Sequence, residues 1–221
     1  MPVTITVAQR KGGVGKTTLA VAIAGEFSKR GWDIALIDGD PQQSASHWAE
    51  PGNLHFPVYQ ITLGSESVSR WANDVRGVKS DYIVIDTAPN EREMGASIAL
   101  ADLILVPCSG SGLDLEATSR TLAIIAAVRS KRKAPLGVIL VPNRIDRRTL
   151  EGRQLVEELG SFGETVSPPI SNRSAFVRAY ASGQAIADFA AGQPADLEIQ
   201  DLCDLVATAL PGSKGRQLAP D

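Results

Sequence analysis

Cysteine is scarce in this chain: two thiols, Cys108 and Cys203, among 221 residues. Two isolated cysteines supply neither a disulfide framework nor a four-ligand zinc site, and they point to a reducing cytoplasm. Histidine is equally scarce, and His47 and His55 sit near no matching ligand cluster. No apolar run approaches the ~18 residues that a membrane span needs. The N-terminus enters a strand-like run at once, without the charged-then-apolar pattern of a secretory signal. Charge of one sign is also lacking. The net charge of -3 gives no bulk attraction to nucleic acid or an anionic membrane, so any such binding needs a local basic patch. Internal repeats and low-complexity linkers are absent too.

What is present is ordinary globular composition, 43% hydrophobic and 21% charged, in a length that suits one domain with a sizeable core. The expected domain is 1–210, with 211–221 as a loose tail. Short apolar runs alternate with helical patterns. Residues 3–8, 33–38, 82–86, 103–107 and 137–142 are rich in Val and Ile and nearly continuous in apolar character, as strands covered on both faces should be. Helices are expected at 16–30, 114–130, 148–160 and 195–210, whereas 43–80 is hard to assign. This rhythm predicts an α/β fold, a mostly parallel sheet with helices on both faces. The last helix is amphipathic with an acidic polar face, which anionic lipid would repel.

The stretch Arg10-Lys11-Gly12-Gly13-Val14-Gly15-Lys16-Thr17-Thr18 follows the first strand and opens the first helix. That is the context a phosphate loop requires. Gly12, Gly13 and Gly15 permit a tight turn that aims backbone N–H groups at phosphate oxygens. Lys16 is placed to reach the β- and γ-phosphates and the Thr17 hydroxyl to bind Mg2+. Thr18 is placed to touch the α-phosphate. Two strands end in aspartate, at Asp38 and Asp86. Either could be the strand-end carboxylate that serves a metal, and pattern alone does not order them.

The loop departs from the common G-x-x-x-x-G-K-[ST] pattern, because Arg10 stands where the first glycine would be. K-G-G-V-G-K-T-T instead resembles the deviant phosphate loop of the ParA/MinD family of P-loop ATPases. The resemblance extends to D-x-D-P-Q at 38–42, V-I-D-T-A-P at 84–89 and, more loosely, L-V-P-N-R-I-D at 140–146 and the segment 167–186. It is closest to the short ParA proteins without an N-terminal helix-turn-helix domain. The resemblance implies ATP and Mg2+ as cofactors and weak, partner-stimulated ATP hydrolysis. It makes Lys11 a residue that crosses a dimer interface to the nucleotide of the other subunit. It makes Asp40 the residue that positions the attacking water, and Asp86 the carboxylate that reaches Mg2+, with Asp38 in support. Gly12, Gly13, Val14, Gly15, Lys16, Thr17 and Thr18 would hold the phosphates, and Asn143, Arg144 and Pro169 the base. The metal set is then Thr17, Asp38 and Asp86.

The implied partners are a second copy when ATP is bound, non-specific double-stranded DNA, and a ParB-like or cargo-adaptor protein, with no membrane and a cytoplasmic, nucleoid-associated location. DNA contact is expected at Arg147, Arg148, Arg173 and Arg178. Lys131, Arg132, Lys133, Lys214 and Arg216, in or near the C-terminal third, are further candidates for DNA contact. There is no aromatic interleaving, so contact would be to phosphates. Alternatives are a MinD-like membrane-cycling ATPase, a metal-cluster carrier or a metabolic P-loop enzyme. The first needs a basic amphipathic C-terminal helix and the second needs paired cysteines. The last leaves Lys11 and D-x-D-P-Q unexplained.

Overall fold

A computed structural model describes residues 1–110, 112–146 and 148–211. Arg147, Lys214, Arg216 and the expected tail beyond Pro211 lie outside the described residues. The apolar runs form strands β1 (Val3–Val7), β2 (Ile34–Asp38), β4 (Tyr82–Asp86), β5 (Leu103–Cys108) and β6 (Gly137–Pro142). Two short strands complete the sheet: β3 (Val58–Gln60) lies beyond β2 and β7 (Thr165–Val166) beyond β6. All pairings are parallel, in the order β3-β2-β4-β1-β5-β6-β7.

Strand side chains alternate between two faces. Ile34, Leu36, Val84, Leu103 and Leu105 pack on one side with helix α1 (Lys16–Lys29) and the C-terminal helices α8 (Ile186–Phe189) and α9 (Pro194–Ala209). Ile37, Ile83 and Ile85 face α3 (Val68–Arg76), and Ile104 and Val106 face α4 (Glu91–Leu100), α5 (Gly112–Arg129) and α6 (Leu150–Gly160). Covering on both faces explains why these strands read as continuous apolar runs. Helix α1 is apolar on nearly every side, with Leu19 to Phe27 buried throughout. A helix of that character belongs inside a domain.

The unassigned stretch contains α2 (Ser44–Ala49), β3 and α3. Trp71 anchors α3, buried and donating its indole N–H to the Ile61 carbonyl at 3.0 Å. Helix α9 packs on α1, and two of its acids pair with arginines of other segments. Asp204 accepts from Arg30 at 2.6 Å, and Glu198 accepts from Arg173, on helix α7 (Ser174–Ser182)'s N-terminal flank, at 2.8 Å. Cys108 and Cys203 are both fully buried. Among the described residues no helix is long and apolar enough to cross a membrane.

Candidate nucleotide-binding site

The sheet register assembles the site before any side chain is considered. Val7 lies opposite Asp86, and Asp86 lies opposite Asp38. The loop leaving β1 therefore runs beside two carboxylates at the carboxyl edge of three adjacent strands. The crossover from β1 runs to β2 on one side and the crossover from the adjacent β4 runs to β5 on the other, and such switch points are where open α/β sheets bind ligands.

Gly13 (φ 75°) and Gly15 (φ 91°) take the left-handed conformation that favours glycine. Gly15 is also the N-cap of α1, with no side-chain cap and no acid in the first turn. The orphan N–H groups and the positive end of α1 are thus left for an anion. A Cβ on Gly15 would lie 2.6 Å from the Asn143 amide nitrogen. That amide, buried, donates to the Val14 carbonyl at 2.8 Å, and Arg144 Nη1 donates to the Gly13 carbonyl at 2.7 Å. Arg144 itself has φ 58°, uncommon for a residue with a side chain. The Asn143-Arg144 pair thereby ties the phosphate loop to the end of β6. Asn143 follows the sixth strand in chain order, not the fifth, because β3 is not apparent in the sequence.

The Lys16 ammonium is buried and faces the Lys11 carbonyl at 3.5 Å. Burial lowers its pKa, opposed by the charges of Asp86 and Asp40. The Thr17 hydroxyl donates to Asp86 Oδ2 at 2.6 Å. Asp86 is fully enclosed, and burial, relieved in part by that hydrogen bond, pushes its pKa up to about 7. Its Oδ1 has no hydrogen-bond partner among the described residues. A hydroxyl, a buried carboxylate and an unused carboxylate oxygen beside a cationic loop are hard oxygen donors that suit Mg2+. Asp38 stands apart from this pair in its bonding: Oδ2 accepts from the Ser46 N–H and hydroxyl at 2.8 and 2.7 Å, and Oδ1 from the Asp40 N–H at 3.2 Å. Asp38 thus shapes the 39–46 loop that carries Asp40. Asp40 is half-buried, its Oδ1 accepting from Gln42 N–H at 2.9 Å.

The phosphate loop, Lys16, Thr17 and Asp40 open on one cavity of about 610 Å3, with Asp38 and Asp86 buried outside its lining; the volume is within the range of nucleotide-sized pockets. Gly12, Gly13, Gly15, Lys16, Thr17, Thr18, Asp40, Asn143 and Arg144 all line it. Val14 is buried behind the loop. The wall following β7 is made by Ile170, Ser171 and Arg173 rather than by Pro169. Lys11 does not line this cavity. It borders a separate one of about 260 Å3 with Arg10 and the α5 residues Glu116 and Arg120. The two lysines of one loop therefore face different spaces.

The basic residues expected to meet DNA are not alike. Arg148 forms an exposed pair with Asp146 at 2.8 Å, and Arg178 is exposed on α7, donating to Ser174 Oγ at 3.3 Å. Arg173 lies in the cavity wall, paired with Glu198. Arg132 donates to the Ala101 carbonyl at 2.5 Å, closing the end of α4. Several cavity residues carry no motif: Trp48 and Tyr180 meet edge to face at 5.1 Å, and Phe176 joins them. Their only sequence signal is aromatic character in otherwise unremarkable segments.

A parallel sheet that ends in a glycine-rich loop opening a helix on Lys-Thr defines a P-loop nucleotide-binding protein. Residues 5–186 match the CobQ/CobB/MinD/ParA nucleotide binding domain, and the chain belongs to that family. The Maintenance of carboxysome distribution protein A of Halothiobacillus neapolitanus is 29% identical over 209 residues, spanning 92% of this chain and 95% of that protein. The protein of the same name from Gloeobacter kilaueensis is 33% identical over 184 residues, spanning 81% and 78%. Among solved structures, a putative plasmid partition protein of Borrelia burgdorferi B31 bound to AMPPNP superposes with a TM-score of 0.76 at 20% identity, covering 94% of this chain and 99% of that one.

Proposed function

We propose that this chain is a ParA-type ATPase that dimerises on binding ATP and Mg2+, binds double-stranded DNA without sequence preference, and positions or segregates a cargo. A ParB-like or cargo-adaptor partner stimulates its hydrolysis on the nucleoid. The observation that carries the reading is the division of labour in one loop. Lys16 lines the nucleotide cavity with Thr17 and Asp40, Thr17 being bonded in turn to the buried Asp86, while Lys11 borders a separate cavity beside α5. The relatives named for carboxysome distribution and plasmid partition support the positioning role.

In this reading the loop N–H groups and the N-terminus of α1 hold the phosphates. Lys16, already desolvated, neutralises charge on the transferred phosphoryl group. Thr17 and Asp86 would hold Mg2+, which when bound neutralises charge on the β- and γ-phosphate oxygens. Asp40, steadied by Asp38 through the loop backbone, orients the attacking water. Asn143 serves the base, and Lys11 reaches the nucleotide of the second copy. Dimerisation aligns two copies of a weak basic surface, so DNA binding depends on ATP through avidity.

Sedimentation and mobility shifts on unrelated duplexes test this together. Wild type should dimerise and shift DNA with ATP but not with ADP. Lys11→Ala should bind nucleotide as a monomer and do neither. Asp40→Ala should accumulate as an ATP-bound dimer that hydrolyses poorly. Equal DNA binding with ATP and ADP, or a Lys11→Ala dimer as stable as wild type, refutes the reading.

A further inference from the structure

Arg173 stands among the basic residues of the C-terminal third, yet its surroundings are those of a ligand wall. The Ile170–Asn172 backbone is zipped to the segment bearing Asn143 and Arg144. Ile145 N–H donates to the Ile170 carbonyl at 2.9 Å, Asn172 N–H to the Ile145 carbonyl at 3.0 Å, and Ile170 N–H to the Pro142 carbonyl at 2.8 Å. Glu198 reaches this strand-like turn from α9. One carboxylate accepts the Ser171 N–H at 2.9 Å, the Ser171 hydroxyl at 2.8 Å, and the Arg173 guanidinium through Nε at 3.3 Å and Nη2 at 2.8 Å. The Glu198 side chain is 13% exposed and that of Arg173 35%. The bidentate grip fixes the guanidinium plane. Residues on both sides of the pair line the cavity, Ser171 and Phe176 among them.

Charge says which part of a nucleotide this wall suits. The Arg173–Glu198 pair is formally neutral. A neutral pair adds no net attraction for a phosphate chain, which the loop at 12–18 already holds. It is also a poor DNA contact, because counterion release needs an uncompensated cation. A fixed guanidinium plane is instead well matched to an uncharged nucleoside, on whose ring it can stack and whose hydroxyls it can meet as a donor. We propose that Arg173 is a specificity residue for the nucleoside end of the bound nucleotide, and that Glu198 is the positioning residue that holds it and Ser171 in the cavity wall. This rests on the nucleotide reading of the cavity given above, and it moves Arg173 from the DNA surface to the ligand.

The test compares three ligands on the full chain: ATP, ADP and inorganic tripolyphosphate, each with Mg2+, by titration calorimetry. Arg173→Ala and the near-isosteric Glu198→Gln should each weaken ATP and ADP alike, by about tenfold, the scale of one charge-assisted hydrogen bond. Tripolyphosphate affinity should stay at the wild-type value, which a general loosening of the fold would not allow. ATP and ADP affinities equal to wild type overturn the proposal, as does a parallel loss of tripolyphosphate. So does a fall in the salt slope of DNA binding with nucleotide affinity intact, which returns Arg173 to the DNA surface. A wild-type chain that binds none of the three ligands removes the nucleotide reading itself and this inference with it.

Discussion

Asp86 offers a stability measurement that isolates the carboxylate proposed to face Mg2+ without relying on activity. It is fully enclosed, and its pKa is raised from 3.8 to about 7, chiefly by burial and further by the nearby charges of Asp38 and Asp40, against the Thr17 hydrogen bond and Lys16. The folded chain therefore keeps a proton that the unfolded chain has already released. Wherever the unfolded state binds fewer protons, stability falls as pH rises. The window is set by the two pKa values: the carboxylate costs little below about pH 4 and its full amount above about pH 7. A shift of roughly three units, at about 1.36 kcal/mol each, makes the full cost about 4 kcal/mol. Asp86→Asn removes the titration. Its buried amide brings an offset of its own, but that offset does not vary with pH. The stability of the variant relative to wild type should therefore rise by about 4 kcal/mol between about pH 4 and pH 8. Urea unfolding in EDTA reads this directly. With a slope of about 2 kcal/mol per molar urea, the midpoint difference should change by about 2 M. Adding Mg2+ to the ATP-bound protein at the higher pH should stabilise wild type more than the variant, because the phosphate loop is common to both and the metal-holding carboxylate is not. A midpoint difference that is the same at both pH values refutes the buried, proton-holding Asp86.

Gly15→Ala should lower thermal stability and nucleotide affinity together. The residue has φ 91°, a strain of about 1–2 kcal/mol for an L side chain, and its Cβ would strike the Asn143 amide at 2.6 Å; a melting curve and an ATP titration check both. Lys16→Ala should abolish ATP binding through loss of a desolvated charge contact, and unchanged affinity in the same titration would contradict the loop assignment. Gly25→Ala would place a Cβ 2.3 Å from the Ala185 Cβ, where α1 packs on α8. Overpacking of this kind costs about 1–3 kcal/mol, visible as a lower urea midpoint while the affinity of the remaining folded protein for ATP is kept.

The central strands and the phosphate loop are legible in the sequence because each leaves a local mark. Burial on both faces writes continuous Val and Ile runs, and a phosphate loop needs glycines and a lysine in fixed order between a strand and a helix. The edge strands leave no such mark. Val58–Gln60 is half-exposed to exposed along its length and Thr165–Val166 is two residues long, so neither needs an apolar run. Asp38 and Asp86 look alike as strand-end acids. What separates them is bonding across the chain: Asp38 is occupied by Ser46 eight residues on, while Asp86 meets Thr17 sixty-nine residues away. The same holds for Arg173 and the Trp48–Tyr180 pair. Their place in the cavity depends on long-range approach of α2, α7 and α9, which no spacing within one segment encodes.

The acids of α9 change what the surface charge means. Read along the helix, Asp196, Glu198, Asp201 and Asp204 form an acidic face that repels anionic partners. In the fold, Asp196 lies 3.7 Å from the Lys29 ammonium, Glu198 holds Arg173 and Asp204 holds Arg30. Only Asp201 of the four is turned outward without an ion pair among the described residues. Several cations are engaged as well: Arg173 by Glu198, Arg148 by Asp146 in an exposed pair, and Arg132 by backbone carbonyls of α4 and the residue after it. Of the cations expected to meet DNA, the exposed ones with no acid within ion-pair distance are Lys131, Lys133 and Arg178, among the described residues. Three such charges neutralise about three phosphates, which at a log–log slope of about -0.9 each is a weak monomer contact at physiological salt. Doubling the set by dimerisation doubles the slope. The proposed DNA binding must therefore appear with the ATP dimer or not at all, and a monomer that binds duplex as tightly as the dimer would mean that the contact surface lies elsewhere.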